Sequence, residues 1–436
     1  MTRRPLPQPV RIYRVGGSVR DELLGRPDAD RDFVVVGATP EMLLASGFRP
    51  VGRDFPVFLH PDTQDEHALA RTERKHGRGY RGFEFFASPD VTLEEDLQRR
   101  DLTINAMARG DDGVLVDPFG GRADLEAGVL RHVSPAFAED PLRVLRVARF
   151  AARFDFAVAP ETEALMRAIV RSGELATLAP ERVWQEWARG LMEAHPSRML
   201  AVLRRCGALE ALLPEVDAVF GVARVRDGYR DVDAGVHVAQ ALDAAARRGL
   251  GLQTRFAVLA HDLCIDDAAP QLASRLRQRN VRAALALAAR LRAPVECRDA
   301  ALVLARWRDR VNHASALTPA ALLDLLQGID ALRRPERLAA LLDACAIDAV
   351  ARATPPQTGA DVAYAPATVL RDALRAVAAV DAGAEARRLA GTTAGALRGD
   401  AIAGAVRAAR LRALRAWRRT LVAQAAGSRQ PRAGRF

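Results

Sequence analysis

The run Val15-Gly16-Gly17-Ser18-Val19-Arg20-Asp21, followed by Asp30-Arg31-Asp32-Phe33-Val34-Val35-Val36, leaves this chain few ways to fold locally. The apolar stretch Ile12 to Val15 reads as a strand and the two glycines break it. Ser18 is placed to cap a short helix that Gly25 and Pro27 close. Backbone N–H groups at such a helix start favour phosphate oxygens, which points to Gly17 and its neighbours as a phosphate turn. Asp30 and Asp32 lie two residues apart in a strand running into Phe33 to Val36, so both carboxylates point to one face.

Two like charges held that close repel unless a cation sits between them. Hard carboxylate ligands suit Mg²⁺, and paired ions roughly 3.5–4 Å apart activate an attacking hydroxyl while stabilising a leaving pyrophosphate. That is the layout of a nucleotidyl-transfer site. An ordinary Gly-Gly turn with aspartates ending a loop accounts for either piece alone; the two pieces in this order favour the site.

Strand-like segments (Ile12–Val15, Asp32–Val36, Val57–His60, Glu66–Ala70, Phe83–Phe86) alternate with Gly and Pro turns up to about Val133. Beyond the joint marked by Pro135 and Pro141, Ala, Leu and Arg recur at helical spacing as far as Ala425. The expected fold class is therefore α+β: a head with a small mixed sheet over 1–133, a helical neck over 134–216, and a helical body over 217–426. Residues 427–436 read as a disordered basic tail, or simply an untethered terminus. No apolar run reaches membrane-span length and no apolar signal region follows Met1-Thr2-Arg3-Arg4-Pro5, so a cytoplasmic location without a membrane partner is expected. Cys206, Cys264, Cys297 and Cys345 lack Cys-x-x-Cys spacing and suggest neither a disulfide framework nor a zinc knuckle.

Net charge is +10, and Lys75 is the only lysine, so the positive charge is nearly all guanidinium. Arginine grips phosphate in a bidentate fork and stacks on bases, which fits a polyanionic partner. Genomic codon bias explains the same composition, which by itself permits a nucleic-acid partner without requiring one.

Two further segments carry chemistry. Glu94 to Ala106 pairs an acidic start with Arg99 and Arg100; Arg100 suits a triphosphate, with Asp101 and Asn105 bracing its loop, the alternative being a surface helix with compensating charges. In Glu139 to Phe150, Asp140 stands at an N-cap and Pro141 at the first helical position. Arg143, Arg146 and Arg149 then fall within one arc opposite Val144, Val147, Ala148 and Ala151. A comb of like charges is stable only with an anion between its teeth, so a nucleotide or RNA backbone is expected there; a solvated basic face is the plainer reading. Asp140 and Arg143 together offer an acceptor and donors able to read a base edge.

On the blocks GGSVRD, DRDFVVVGATPEML, ALARTERK, LEEDLQRRDLTINAMA, DPFGG, EDPLRVLRVARF and LAPERVWQEWARGLM, the chain resembles the class II tRNA nucleotidyltransferase/poly(A) polymerase family, in its bacterial CCA-adding form, over roughly residues 11–216. The resemblance implies a polymerase-beta-like head and template-independent addition of CCA to tRNA from CTP and ATP, with Mg²⁺. It places the metal-binding, catalytic aspartates on Asp30 and Asp32, triphosphate binding on Gly17 and Arg20, and nucleotide binding on Arg100, Arg143, Arg146 and Arg149. The amino-acid template for base choice falls on Asp140 and Arg143. Glu66 is a candidate third carboxylate. A poly(A) polymerase of the same family and an RNA-binding protein with a dead head are the competing expectations. No feature suggests a protein partner.

Some bacterial members carry an HD phosphohydrolase domain. His237 and the pair His261-Asp262 resemble its first metal ligands. Cys264-Ile265-Asp266-Asp267 then replaces the usual Gly-Lys pair, the His-rich block is absent, and Asp309 or His313 stands as candidate for the remaining ligand. The expectation is a degenerate HD-type fold that packs or binds tRNA, with retained hydrolase activity and ordinary core histidines as alternatives.

Overall fold

β-Branched and aromatic residues between glycine and proline turns form the sheet of the first unit. In the computed structural model, β1 (Arg11–Val15) leads into α1 (Gly17–Leu23), then β2 (Asp32–Val36), α2 (Pro40–Ala45), β3 (Arg49–Val51), β4 (Val57–Leu59) and β5 (Glu66–Leu69). The structure describes residues 6, 9–26, 31–51, 57–75, 83–226, 229–264, 273–352, 364–392 and 399–427. Asp30, Ile265 to Asp267 and residues 428–436 of the expected tail lie outside them. The chain divides into two units, Met1–Ala218 and Val219–Phe436.

After β5 come the β6 (Arg71–Lys75) and β7 (Phe83–Ala87) hairpin, α3 (Leu93–Gln98), β8 (Ala108–Gly110), β9 (Leu115–Val116), α4 (Gly121–Ala127) and β10 (Val129–Leu130). Among the described residues the main sheet has seven strands in the order β3-β4-β5-β2-β1-β8-β9. It is mixed, because β2 and β5 run parallel while β1 pairs antiparallel with both β2 and β8. Alternation sends Val34 into one core with Val15, Leu97 and Ala108, and Val35 into another with Leu43, Phe58 and Leu69. Asp32 shares the Val34 face, so the hydrophobic demands of β2 decide where its carboxylate points.

The rest of the first unit is mostly helical: α5 (Leu142–Phe154), β11 (Ala157–Val158), α6 (Pro160–Arg171), α7 (Pro180–Met192), α8 (Pro196–Arg205), α9 (Ala208–Leu212) and α10 (Pro214–Asp217). Val144, Leu145, Val147, Ala148 and Ala151 are fully buried on α5, which packs against α7 and α8. Between those two, a Cβ on Gly190 would sit 2.1 Å from the Met199 sulfur, so only glycine allows the approach.

The second unit opens with a hairpin, β12 (Ala223–Arg226) and β13 (Tyr229–Asp233), which interrupts the helical run expected from the sequence. Asp233 ends that hairpin and caps α11 (Ala234–Arg247) by accepting the Gly235 and Val236 N–H groups. Then follow α12 (Leu252–Ala260), α13 (Ala273–Arg290), α14 (Val295–Asn312), α15 (Pro319–Gly328), α16 (Pro335–Arg352), α17 (Ala365–Ala378), α18 (Ala382–Thr392) and α19 (Gly399–Gly427). Helices α11, α12, α14 and α16 pack on one another. Among the described residues no helix is long and apolar enough to cross a membrane.

Candidate active site

The glycine turn is built around one close approach. Gly16 has φ +70°, donates its N–H to the Met107 carbonyl at 3.1 Å, and would place a Cβ 2.8 Å from Arg100 Nη1. An L side chain there is strained and displaces Arg100. Ser18 does not cap α1. It lies inside the first turn and its hydroxyl donates back to the Val15 carbonyl at 3.1 Å, because Gly16 in a left-handed conformation already turns the chain into the helix. Arg20 is buried; it pairs with Asp21 (Nε to Oδ1, 2.9 Å), donates to Asn105 Oδ1, and stacks over Phe150 and Phe154 at 5.3 and 4.9 Å.

Asp32 and Glu66 are direct partners across the parallel β2–β5 pair, so their side chains leave the sheet on the same face. Both are exposed and line a cleft of about 740 Å³ together with Gly16, Gly17 and Arg20. These are hard oxygen donors open to solvent, a donor set that fits a divalent cation such as Mg²⁺. Asp30, two residues before Asp32, is outside the described residues.

Among the described residues nine arginines line the cleft against four carboxylates, Asp32, Glu66, Asp101 and Asp140, an excess of positive charge suited to a polyphosphate. Arg100 lies just past the end of α3, which starts with a Thr92/Glu95 capping box. Its Nη2 donates to Asp96 at 3.2 Å, and its buried Nε has no hydrogen-bond partner among the described residues. Asp96 is wholly buried; burial opposes its charge, but Arg99 and Arg100 outweigh that and hold its carboxyl below the usual range. Asp101 accepts Leu102 N–H at 2.9 Å and Asn105 Nδ2 at 3.0 Å on one oxygen, and Arg146 Nε at 2.8 Å on the other. Burial opposes this charge too, and Arg146, Asn105 and Arg143 overcome it, leaving the carboxyl far below its ordinary value.

The arginine comb on α5 is corrected in one respect. Arg143, Arg146 and Arg149 all face the cleft, but their charges are answered from within. Arg143 donates to the Ala136 and Arg99 carbonyls at 3.1 and 2.6 Å, Arg146 pairs with Asp101, and Arg149 bonds Glu186 at 2.6 Å. Arg143 and Arg149 are over nine-tenths buried, so this is not a solvated face. Asp140 Oδ1 accepts the Leu142 N–H at 3.1 Å, as a capping aspartate does, while Oδ2 accepts Arg182 Nη2 at 2.9 Å.

Arg153, Arg182 and Glu186 were not singled out in the sequence. Arg153 reaches Asp21 at 2.9 Å across 132 residues, and Glu186 is buried at a position where the α7 pattern asks for an apolar residue. That polar intrusion is the one local signal that could have found it.

In the second unit, His237 and His261 converge on Asp348 rather than on Asp309 or His313. Their Nε2 atoms lie 2.9 and 3.1 Å from Asp348 Oδ1, and all three residues are buried. Asp309 and His313 sit at the end of α14, where their spacing in sequence said nothing about distance. Asp262 is already satisfied: Asn280 donates to Oδ1 at 3.0 Å and the buried Arg308 to Oδ2 at 2.8 Å, with Arg308 Nη1 3.7 Å from Asp348. His237, His261 and Asp348 thus bring one ligand atom each to within 4.8 Å of one another, a group that could hold a metal ion, whereas Asp262, which the HD resemblance adds to that set, is held by a guanidinium.

Comparison with known proteins agrees with the geometry of the first unit. A family model described as "Poly A polymerase head domain" matches residues 12–131, and one described as "Probable RNA and SrmB-binding site of polymerase A" matches 155–220. The multifunctional CCA protein of Nitrosomonas europaea is 55% identical over 389 residues, covering 88% of this chain and 93% of its own. That of Dechloromonas aromatica is 59% identical, covering 79% and 84%. Among solved structures, the Bacillus stearothermophilus CCA-adding enzyme in complex with CTP is 25% identical with a TM-score of 0.61 and 95% of each chain covered. The Thermotoga maritima CCA-adding enzyme complexed with tRNA, 20% identical, shares the fold with a TM-score of 0.58 over 94% of this chain and 92% of its own.

Proposed function

The chain belongs to the family of multifunctional CCA proteins, and from that premise we propose that it adds C, C and A in turn to the 3′ end of tRNA without a nucleic-acid template. The tRNA 3′-hydroxyl attacks the α-phosphate of CTP twice and then of ATP, and each attack breaks the bond to the β-phosphate and releases pyrophosphate. The observation that carries this reading is the pairing of Asp32 with Glu66 on adjacent parallel strands in an arginine-lined cleft.

The polymerase-type head implies a divalent metal. We assign it as Mg²⁺, which Asp30 and Asp32 would hold with Glu66 beside them; when bound it supplies charge neutralisation at the attacking and leaving oxygens. Gly17, Arg20 and Arg100 grip the triphosphate, all three lining the cleft. Arg146 and Arg149, fixed by Asp101 and Glu186, set the positive wall without having to reorganise. Asp140, held by Arg182, and Arg143 present an acceptor and donors to the base edge. A bidentate contact of that kind is worth about 1–3 kcal/mol, enough for partial selectivity, so the fit of the loaded site must supply the rest. We assign residues 1–133 to catalysis, 134–216 to nucleotide recognition and 217–426 to the tRNA-holding body, acting in the cytoplasm.

The test is to incubate the protein and Mg²⁺ with tRNA ending at the discriminator base, supplying CTP, ATP or both, and to read product lengths. Two additions with CTP and a third only with ATP, lost in Asp30→Ala/Asp32→Ala, are expected. A long ladder with ATP alone would instead make it a poly(A) polymerase.

A further inference from the structure

The ligand atoms of His237, His261 and Asp348 are brought together by α11, the end of α12 and α16. Nδ1 of His261 donates to the Val258 carbonyl at 2.7 Å, which aims Nε2 at Asp348 Oδ1, as an outer-shell hydrogen bond orients a ligating histidine. What sets this centre apart from a metal site is a fourth helix. From α14, Arg308 enters at 5% exposure, with Nη1 2.8 Å from Asp262 Oδ2 and 3.7 Å from Asp348 Oδ1. The guanidinium thus stands between the two buried carboxylates, where an ion linking them would stand. It is locked in place, because Nη2 lies 3.5 Å from Asp309 and Asp262 is itself held by Asn280, which also accepts the Cys264 N–H at 2.7 Å. Both Asp262 oxygens are therefore taken. An ion bound to Asp348 Oδ1 at an ordinary ligand distance of about 2 Å would lie within about 6 Å of Nη1, a like charge in an interior that screens little.

We propose that Arg308 is the resident cation of this centre: it answers the carboxylates in place of a divalent metal and keeps one from binding, and loss of its charge opens a metal site on His237, His261 and Asp348. Two imidazoles and a carboxylate, already oriented and with Asp262 released beside them, suit an ion such as Co²⁺. The inference concerns the second unit alone and does not depend on the transfer reaction. Its consequence is that this unit holds no metal with which to activate water on a phosphoester, so the hydrolysis that an HD centre would supply is not a second activity of the chain.

The experiment strips untagged, full-length wild type, Arg308→Ala and Arg308→Met with a chelator and titrates each with Co²⁺. It reads the visible absorption of histidine-bound Co²⁺ and the melting temperature. No histidine lines the cleft of the first unit among the described residues, so an ion held there does not give that signal. Each variant should take up one Co²⁺ on histidine about 10- to 100-fold more tightly than the wild type, the range that outer-shell changes produce, and should melt higher with the ion than without it. The wild type should show neither effect, and adding His237→Ala to a variant should abolish both. Arg308→Met fills more of the space left by the guanidinium and covers the case in which Arg308→Ala does not fold. Uptake of Co²⁺ on these histidines by the wild type overturns the proposal whatever the variants do, and so does a folded variant that takes up none.

Discussion

The cleft of the first unit and the histidine–aspartate centre of the second both bring arginines to carboxylates, and they leave the charges in opposite states. In the cleft, the buried Arg149–Glu186 pair and the half-buried Arg146 on its buried partner Asp101 form a rigid wall, while Asp32 and Glu66 remain exposed in front of it. In the second centre His237, His261, Asp262, Arg308 and Asp348 are all at least 95% buried and satisfy one another. A site meant to receive a ligand keeps polar capacity open to solvent. In the second centre the Asp262 carboxylate is already answered by Arg308, and the His237–His261–Asp348 group is shut away from solvent.

The sharpest break of this comparison is Asp32→Ala. Loss of a metal-holding carboxylate should cut nucleotide incorporation roughly a thousandfold, several kcal/mol at 1.36 per decade, with the melting temperature nearly unmoved because the side chain is exposed. Removal of divalent metal with a chelator should do the same and leave melting of the second unit unchanged; a large metal-dependent shift in that melting would return the HD-like centre to the metal sites.

Arg308→Ala should act in the reverse sense. It leaves Asp262 buried beside Asp348 without its counter-charge, at a cost of about 3–5 kcal/mol in denaturant unfolding. A neutral result would mean the pair is not holding the unit together.

A smaller effect probes the wall of the cleft through pH. Asp101 has its carboxyl depressed in the folded protein, so its contribution is fully present above the unfolded value of about 3.9 and is lost as pH falls through the lower folded value. Asp101→Asn should therefore be less stable by about 1.5–3 kcal/mol near neutrality and should lose less further stability than the parent on acidification below about pH 4. Parallel urea midpoints against pH for the two proteins would contradict it. Thr92→Ala, the smallest change, removes the capping hydroxyl of α3 and should cost about 1 kcal/mol of stability. Incorporation should hardly change, since Asp96 still ties Arg99 and Arg100 to the sheet through the Arg71 N–H.

Much of the first unit was legible because its signals are local. The strand–glycine–helix run, the acidic start of β2 and the buried face of α5 all depend on neighbours within a turn or a pleat, where alternation and helical period act directly. Strands β3 (Arg-Pro-Val), β6 (Arg-Thr-Glu-Arg-Lys) and β8 (Ala-Arg-Gly) escaped that reading because none carries an apolar run, whereas β4 (Val-Phe-Leu), as short as β3 and β8, does. The partners that complete the site were not legible at all. Arg182 meets Asp140 across 42 residues and His237 meets Asp348 across 111, separations at which no spacing rule applies.

Residue types and the face each takes within its own element thus follow from the amino-acid order, since period and hydrophobicity act within one element. Which of those charges are already answered emerges from the folding of distant segments onto one another. It set Glu66 beside Asp32, gave Asp101 and Glu186 to the arginines of α5, and gave Asp262 to Arg308, because charge neutralisation in a protein interior depends on distance in space and on burial, and neither is a function of position along the chain.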